Sequence, residues 1–124
     1  MDSLSQQAKA NPRLRQSYDL RTTPDDQSQR MLNALEPGTI MPIHRHRNTS
    51  ETMVMDRGKL IERFYDEKGN ITDEFVMESY GQYPMIHIEK FQWHSLEILE
   101  EGTIIFEFKD GAYEPLSEND IMRK

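Results

Sequence analysis

A chain of 124 residues with 35% hydrophobic content supplies one domain and one modest core, and excludes two domains. Its formal net charge of −7 argues against a nucleic-acid or anionic-membrane partner, because phosphates are repelled at long range, and leaves small molecules, metals and proteins. With no cysteine, disulfides and thiolate metal sites are excluded, so any metal must be held by nitrogen and oxygen.

The acidic start MDSLSQQ has neither the n-region nor the h-region of a secretory signal, and no apolar run approaches a membrane span; a cytoplasmic protein is expected. Ser3 to Ala10 reads as a short helix stopped by Asn11-Pro12, with Leu4 and Ala8 on one face. Arg13 to Arg21 alternates enough for a strand, with Leu14, Gln16, Tyr18 and Leu20 along one side. Thr23 then caps a second helix, with Pro24 at its first position and Asp25 and Asp26 at the positive end of its dipole. That helix is predicted to run to about Leu35, burying Met31, Leu32 and Leu35, and to end at Pro37-Gly38. Residues 1–37 thus read as a helix-strand-helix extension packed on a barrel formed by residues 38–124. Arg13, Arg15 and Arg21 are read as scattered surface charges, the alternative being the wall of an anionic-ligand pocket.

The segment Gly38 to Gly58, GTIMPIHRHRNTSETMVMDRG, holds the densest chemistry. In an extended run, side chains two apart point the same way, so His44 and His46 can reach one point while Arg45 faces away. Glu51, after a polar turn through Arg47 to Ser50, can add an oxygen ligand from a neighbouring strand. From Thr39 onward turn signals recur at the short spacing of an all-β sandwich or barrel, with Thr39 to Ile43 leading into the histidines. Strands are predicted over Glu51 to Met55, Lys59 to Asp66, Ile71 to Glu78, Tyr83 to Ile88, Trp93 to Leu99 and Thr103 to Lys109. Glu51, Met53 and Met55 share a face, and Lys68-Gly69-Asn70 makes a hairpin turn. Short strands without helical crossovers specify antiparallel pairing. The eight methionines read as adaptable filler for an irregular interior.

Gly38, His44, His46, Glu51 and Gly58, with five, one, four and six residues between them, match at every fixed position the first signature of the cupin superfamily, which the chain closely resembles. The resemblance implies an all-β antiparallel jelly-roll barrel and a metal held by His44, His46, Glu51 and a later histidine. His94 stands where that last ligand is expected, although Glu89 and Phe91 replace the proline and glycine of the second signature, Ile98 stands where many members carry asparagine, and Gly81 falls two residues early. The turn from Glu89 to Gln92 must then form without glycine. His87 is the competing histidine, and alternation between Ile86 and Ile88 can put it on the outer face. Among cupins the layout is most similar to the WbuC family, through QRMLNALEPGT (Gln29 to Thr39), HRH with Glu51, GKLIERFYDEKGNI (Gly58 to Ile71) and WHSLEILEEGTIIFEFKDGAYEP (Trp93 to Pro115). That resemblance implies a bacterial surface-polysaccharide setting and no particular reaction.

Three imidazoles and one carboxylate suit one divalent transition metal, Zn, Fe, Mn, Ni or Co, and leave one or two positions open. A metal-dependent isomerase, epimerase or dioxygenase acting on a small polar or sugar-like molecule is expected, with a non-catalytic ligand-binding or regulatory module as the alternative. Tyr65, Tyr83 and Trp93 are expected near the pocket, whereas Glu97, out of phase with an inward His94, is expected in solvent. A low mean hydropathy on so short a chain also predicts a homodimer that shares burial across subunits.

Overall fold

The computed structural model describes residues 2–20, 29–111 and 116–122. Among the described residues, helix α1 (Asp2–Ala10) is followed by ten strands: β1 (Arg15–Asp19), β2 (Gln29–Leu35), β3 (Ile43–His44), β4 (Glu51–Arg57), β5 (Lys59–Tyr65), β6 (Ile71–Glu78), β7 (Met85–Ile88), β8 (Trp93–Ile98), β9 (Thr103–Lys109) and β10 (Ile121–Met122). They form two five-stranded sheets, ordered β1-β2-β9-β4-β7 and β10-β3-β8-β5-β6, with antiparallel pairing between neighbouring strands. This is the cupin jelly-roll architecture expected from the sequence. No helix among the described residues is long and apolar enough to cross a membrane.

Strand alternation sorts the side chains between the sheets from those outside. On β4, Glu51, Met53 and Met55 are buried with the intervening residues less so, and Met53, Met55 and Met77 join Leu35, Leu60, Leu96 and Ile105 in the core. Methionine thus serves as the filler anticipated for an irregular interior. Leu4 and Ala8, one turn apart on α1, pack against Ala34 and Ile104 on the outside of β2 and β9.

The second predicted helix is corrected: residues 29–35 are strand β2, and the proposed start at Thr22 to Asp26 lies outside the described residues. The residues of β2 suit a helix, but the strand is hydrogen-bonded between β1 and β9, and Leu35 faces the core while Ala34 faces α1. Covered on both faces, it lacks the apolar-polar alternation that identifies a half-buried strand, and sheet pairing overrides local propensity. Residues 29–35 are therefore part of the barrel wall and not of an extension resting on it.

Gly58 takes φ 89° in the tight turn from β4 to β5, where a Cβ would lie 2.5 Å from the Thr103 Cα. The turn after Glu89 is made with Phe91 at φ 66°, in the left-handed region that a glycine would occupy without strain. Its N–H donates to the His46 carbonyl at 2.8 Å, so this strained turn is tied directly to the histidine loop.

Candidate metal centre

His44 on β3 and His94 on β8 are directly opposite in register, and their ring centroids are 4.3 Å apart. His46 follows two residues later, its ring 5.3 Å from His44 and 5.9 Å from His94. One ring nitrogen from each of the three lies within 4.8 Å of the others, close enough for them to hold a single ion. Arg45, between the two histidines of the loop, faces away: its guanidinium lies 4.5 Å from the centre of the Trp93 ring and its Nε donates to Asp120 at 3.0 Å. Arg47 Nε donates to the other oxygen of Asp120 at 2.9 Å. Burial alone would raise the Asp120 carboxyl, but the hydrogen bonds from Arg45 and Arg47 outweigh it and hold it below the usual range. Asp120 thereby clamps both flanks of His46 from the C-terminal segment.

Two hydrogen bonds orient the imidazoles. His44 Nδ1 lies 2.9 Å from the Pro42 carbonyl, and a proton there turns the Nε2 lone pair towards the other rings. His94 Nδ1 lies 2.9 Å from Oε1 of Glu62, a carboxyl with no exposed surface on β5. With the proton on Nδ1, His94 Nε2 presents its lone pair 3.5 Å from Glu51 Oε1. His94 Nε2 and His46 Nε2 are both buried without a hydrogen-bond partner.

The electrostatics favour neutral imidazoles. Burial, then Lys109 and His44, hold His46 down to about 3; burial, then His44 and His46, hold His94 well below its ordinary value; and burial lowers His44. Burial, followed by the neighbouring Glu107, pushes Glu51 up to about 8 against the pull of Lys109, whose Nζ is 3.8 Å from Glu51 Oε2. Neutral rings with inward lone pairs, beside a carboxyl that resists ionising until a cation compensates it, are the donor set that a divalent transition metal takes. The residues therefore fit such an ion.

The cluster opens into a cavity of about 510 Å³, lined by the three histidines, Glu51 and Met53 and by several groups that sequence reasoning missed. Glu107 and Lys109 lie on the wall because β9 presents Thr103, Ile105, Glu107 and Lys109 on one side, opposite the inward residues of β4. The signal was present as charged residues in phase with the buried Ile105. Glu62 is likewise in phase with Leu60. Arg13 and Arg15 also line the cavity, which corrects their expected place as scattered surface charges; Arg21 lies outside the described residues.

Tyr65, Tyr83 and Trp93 are absent from the cavity wall. Trp93 adjoins the inward His94 on β8, so the pleat turns it outwards to Arg45, and Tyr65 is its partner in register. Tyr83 packs instead on Phe75, 5.1 Å between ring centroids, and Phe75 on Phe64. His87 is on the outer face, 3.0 Å from the Thr52 hydroxyl and remote from the cluster, and Glu97 pairs with Arg63 at the surface.

A two-sheet jelly roll with a histidine-lined cavity between its sheets defines a cupin-fold protein. The chain belongs to the family described as a domain of unknown function (DUF6016), whose model matches residues 1–77. No curated protein matches its sequence. Among solved structures it is similar to KdgF from Halomonas sp. (14% identity, TM-score 0.65), with 83% of this chain aligned to 84% of that one. It is also similar to the capsular polysaccharide assembling protein CapF from Staphylococcus aureus (21%, 0.69; 85% of this chain, 30% of that one). A third is Bacillus subtilis oxalate decarboxylase, studied for its Mn(II) centres (24%, 0.58; 88% of this chain, 27% of that one). At these identities the likeness is one of fold, and the chain spans less than a third of the latter two proteins.

Proposed function

We propose that this protein is a divalent-metal-binding cupin in which His44, His46, His94 and Glu51 hold one ion, and that the cavity around it binds or acts on a small polar or sugar-like molecule. The observation that carries the reading is the pair of buried, unpartnered Nε2 atoms of His46 and His94, the second facing Glu51 Oε1 at 3.5 Å. A buried ring nitrogen without a partner carries its desolvation cost uncompensated, and a cation held between the rings supplies that partner.

Zn, Fe, Mn, Ni and Co all suit three imidazoles and a carboxylate, and such an ion supplies Lewis acidity or, as iron, dioxygen activation. The chain's own part is to hold the donors, through Pro42 and Glu62, and to line the cavity with Glu107 and Lys109, titratable groups beyond the ligand set. Their presence supports chemistry at the site, of isomerase, epimerase or dioxygenase type, over passive binding. A bacterial surface-polysaccharide setting and membership of the WbuC type are part of the proposal, supported by the sequence resemblance and by the description of CapF as a capsular polysaccharide assembling protein. So are a cytoplasmic location and a homodimer; for the dimer, support comes from the exposed Tyr18, Met85 and Phe108 on the outer face of one sheet.

Metal analysis of protein purified without chelator tests the reading. About one equivalent is expected, lost in His46→Ala with the strand signal in circular dichroism retained, and kept in His87→Ala. Full metal content in His46→Ala would overturn the site.

A further inference from the structure

We propose that the cavity takes a small oxyanion, a carboxylate or phosphate ester, whose charge is held by Arg13 and Arg15 on the wall beside β1 while its remaining polar groups face the histidines. The inference rests on the cavity being the ligand site proposed above.

Four cationic side chains other than histidine line the cavity, and two of them are committed within the protein. Arg47 is held by Asp120 at 2.9 Å, and Lys109 stands 3.8 Å from Glu51 and 4.0 Å from Glu107. Arg13 and Arg15 have no ion-pair partner within 4.0 Å among the described residues. Arg15 is on the interior side of β1, because its partner in register is Leu35, a core residue. Its charge is felt at His44 and at Glu107, which places it over the same space as the histidine cluster. Burial, the largest influence, lowers its affinity for its proton, which marks a guanidinium partly stripped of water.

The backbone between the two arginines is also unusual. Leu14 sits at φ 57°, a left-handed conformation that non-glycine residues seldom adopt. It is maintained by the Leu14 N–H to Asn11 carbonyl bond at 2.9 Å and by its own carbonyl, which accepts from the Glu36 N–H at 2.9 Å. Strain held in place beside two cations that have no ion-pair partner among the described residues is the pattern of a ligand clamp. A chain with a net charge of −7 has acidic side chains to spare, yet among the described residues none stands within 4.0 Å of either arginine. Guanidinium groups bind carboxylate and phosphate through paired N–H donors, and the cavity has the size of a small-molecule site.

Calorimetric titration of the full-length protein, as purified, with malonate, glycerol phosphate and glycerol tests this. At least one anion is expected to bind at millimolar concentration or better, more weakly as salt is raised, and glycerol is expected not to bind. The stronger anion identifies the oxyanion as carboxylate or phosphate. Arg15→Gln and Arg13→Gln should each weaken binding by about tenfold or more, while Arg57→Gln, remote from the cavity and paired with Asp2, should not. Arg13 is exposed, so its substitution keeps the test open if Arg15→Gln is poorly folded. Failure of both anions to bind, or binding unaffected by either arginine substitution, would overturn the inference. Metal content measured on the same samples separates the two proposals: metal present with anion binding absent or independent of the arginines sinks only this one. Metal absent with arginine-dependent anion binding sinks only the metal centre.

Discussion

Replacing Glu62 by glutamine should weaken metal binding and, at the same time, relieve the metal-free fold. The Glu62 side chain has no exposed surface, its Oε1 is 2.9 Å from His94 Nδ1, and its Oε2 has no hydrogen-bond partner. As a carboxylate behind the proposed ligand His94 it would fix the ring and raise the basicity of Nε2, and losing such a partner typically costs about 10–100-fold in affinity, or ~1.4–2.7 kcal/mol. Without an ion, burial and then the charges of Glu51 and Glu107 push the Glu62 carboxyl well above its ordinary value, so ionising it destabilises the fold. Glutamine keeps the volume, and its amide oxygen can still accept from Nδ1, so the substitution removes the charge and opens no void. Zinc affinity by competition with a chromogenic chelator, and thermal unfolding with and without free zinc, read the two effects separately. At free zinc of about 100 times the wild-type Kd, the metal stabilises wild type by ~2.7 kcal/mol; a tenfold weaker variant retains ~1.4. The difference reduces the zinc-induced rise in Tm by roughly 3–6 °C for a domain of this size, while the metal-free Tm is unchanged or higher. Zinc affinity within about twofold of wild type would refute a role for Glu62 in holding the site.

The chelator-treated protein should be less stable on both sides of a pH optimum. Glu51, raised from 4.5 to about 8, contributes stability that is present below its ordinary value and lost as pH rises through about 8, whereas His46, lowered from 6.5 to about 3, makes stability fall as pH drops below 6.5. Glu51→Gln should remove Glu51's share of the alkaline loss, and a fall in Tm as large in the variant as in wild type across that range would contradict the buried acid. Gly58→Ala sets a Cβ 2.5 Å from the Thr103 Cα at φ 89°, and should cost on the order of 3 kcal/mol or more by chemical denaturation; a loss under about 1 kcal/mol would mean the turn yields easily. Phe91→Gly relieves a left-handed residue whose ring is half exposed and should raise stability by up to about 1 kcal/mol. A measured loss would instead credit the Phe91 ring, 5.7 Å from the Arg45 guanidinium, with holding the turn.

Much of the barrel was legible residue by residue. Strands β6 and β9 occupy the predicted residues, because the turns marked by Gly69, Gly102 and Gly111 leave little choice of boundary. The pairing of His44 with His46, and the turning away of Arg45, follow from the two-residue repeat of extended chain alone. The same repeat, carried consistently, would have turned Trp93 outwards from His94 and drawn Glu107 inwards with Ile105. Both placements follow from adjacent residues alone.

Other features belong to no local rule. Whether Gln29 to Leu35 is helix or strand was decided by β1 and β9 on its two edges and by α1 and the core on its two faces, none of which the segment itself encodes. Sequence determined which side chains can share a face, since alternation is a property of adjacent residues. Tertiary structure decided what meets them: His94 stands opposite His44, Glu62 behind His94, and Arg13 and Arg15 over the cavity, because strand register joins segments far apart in the chain and sets which groups confront one another in the buried space between the sheets.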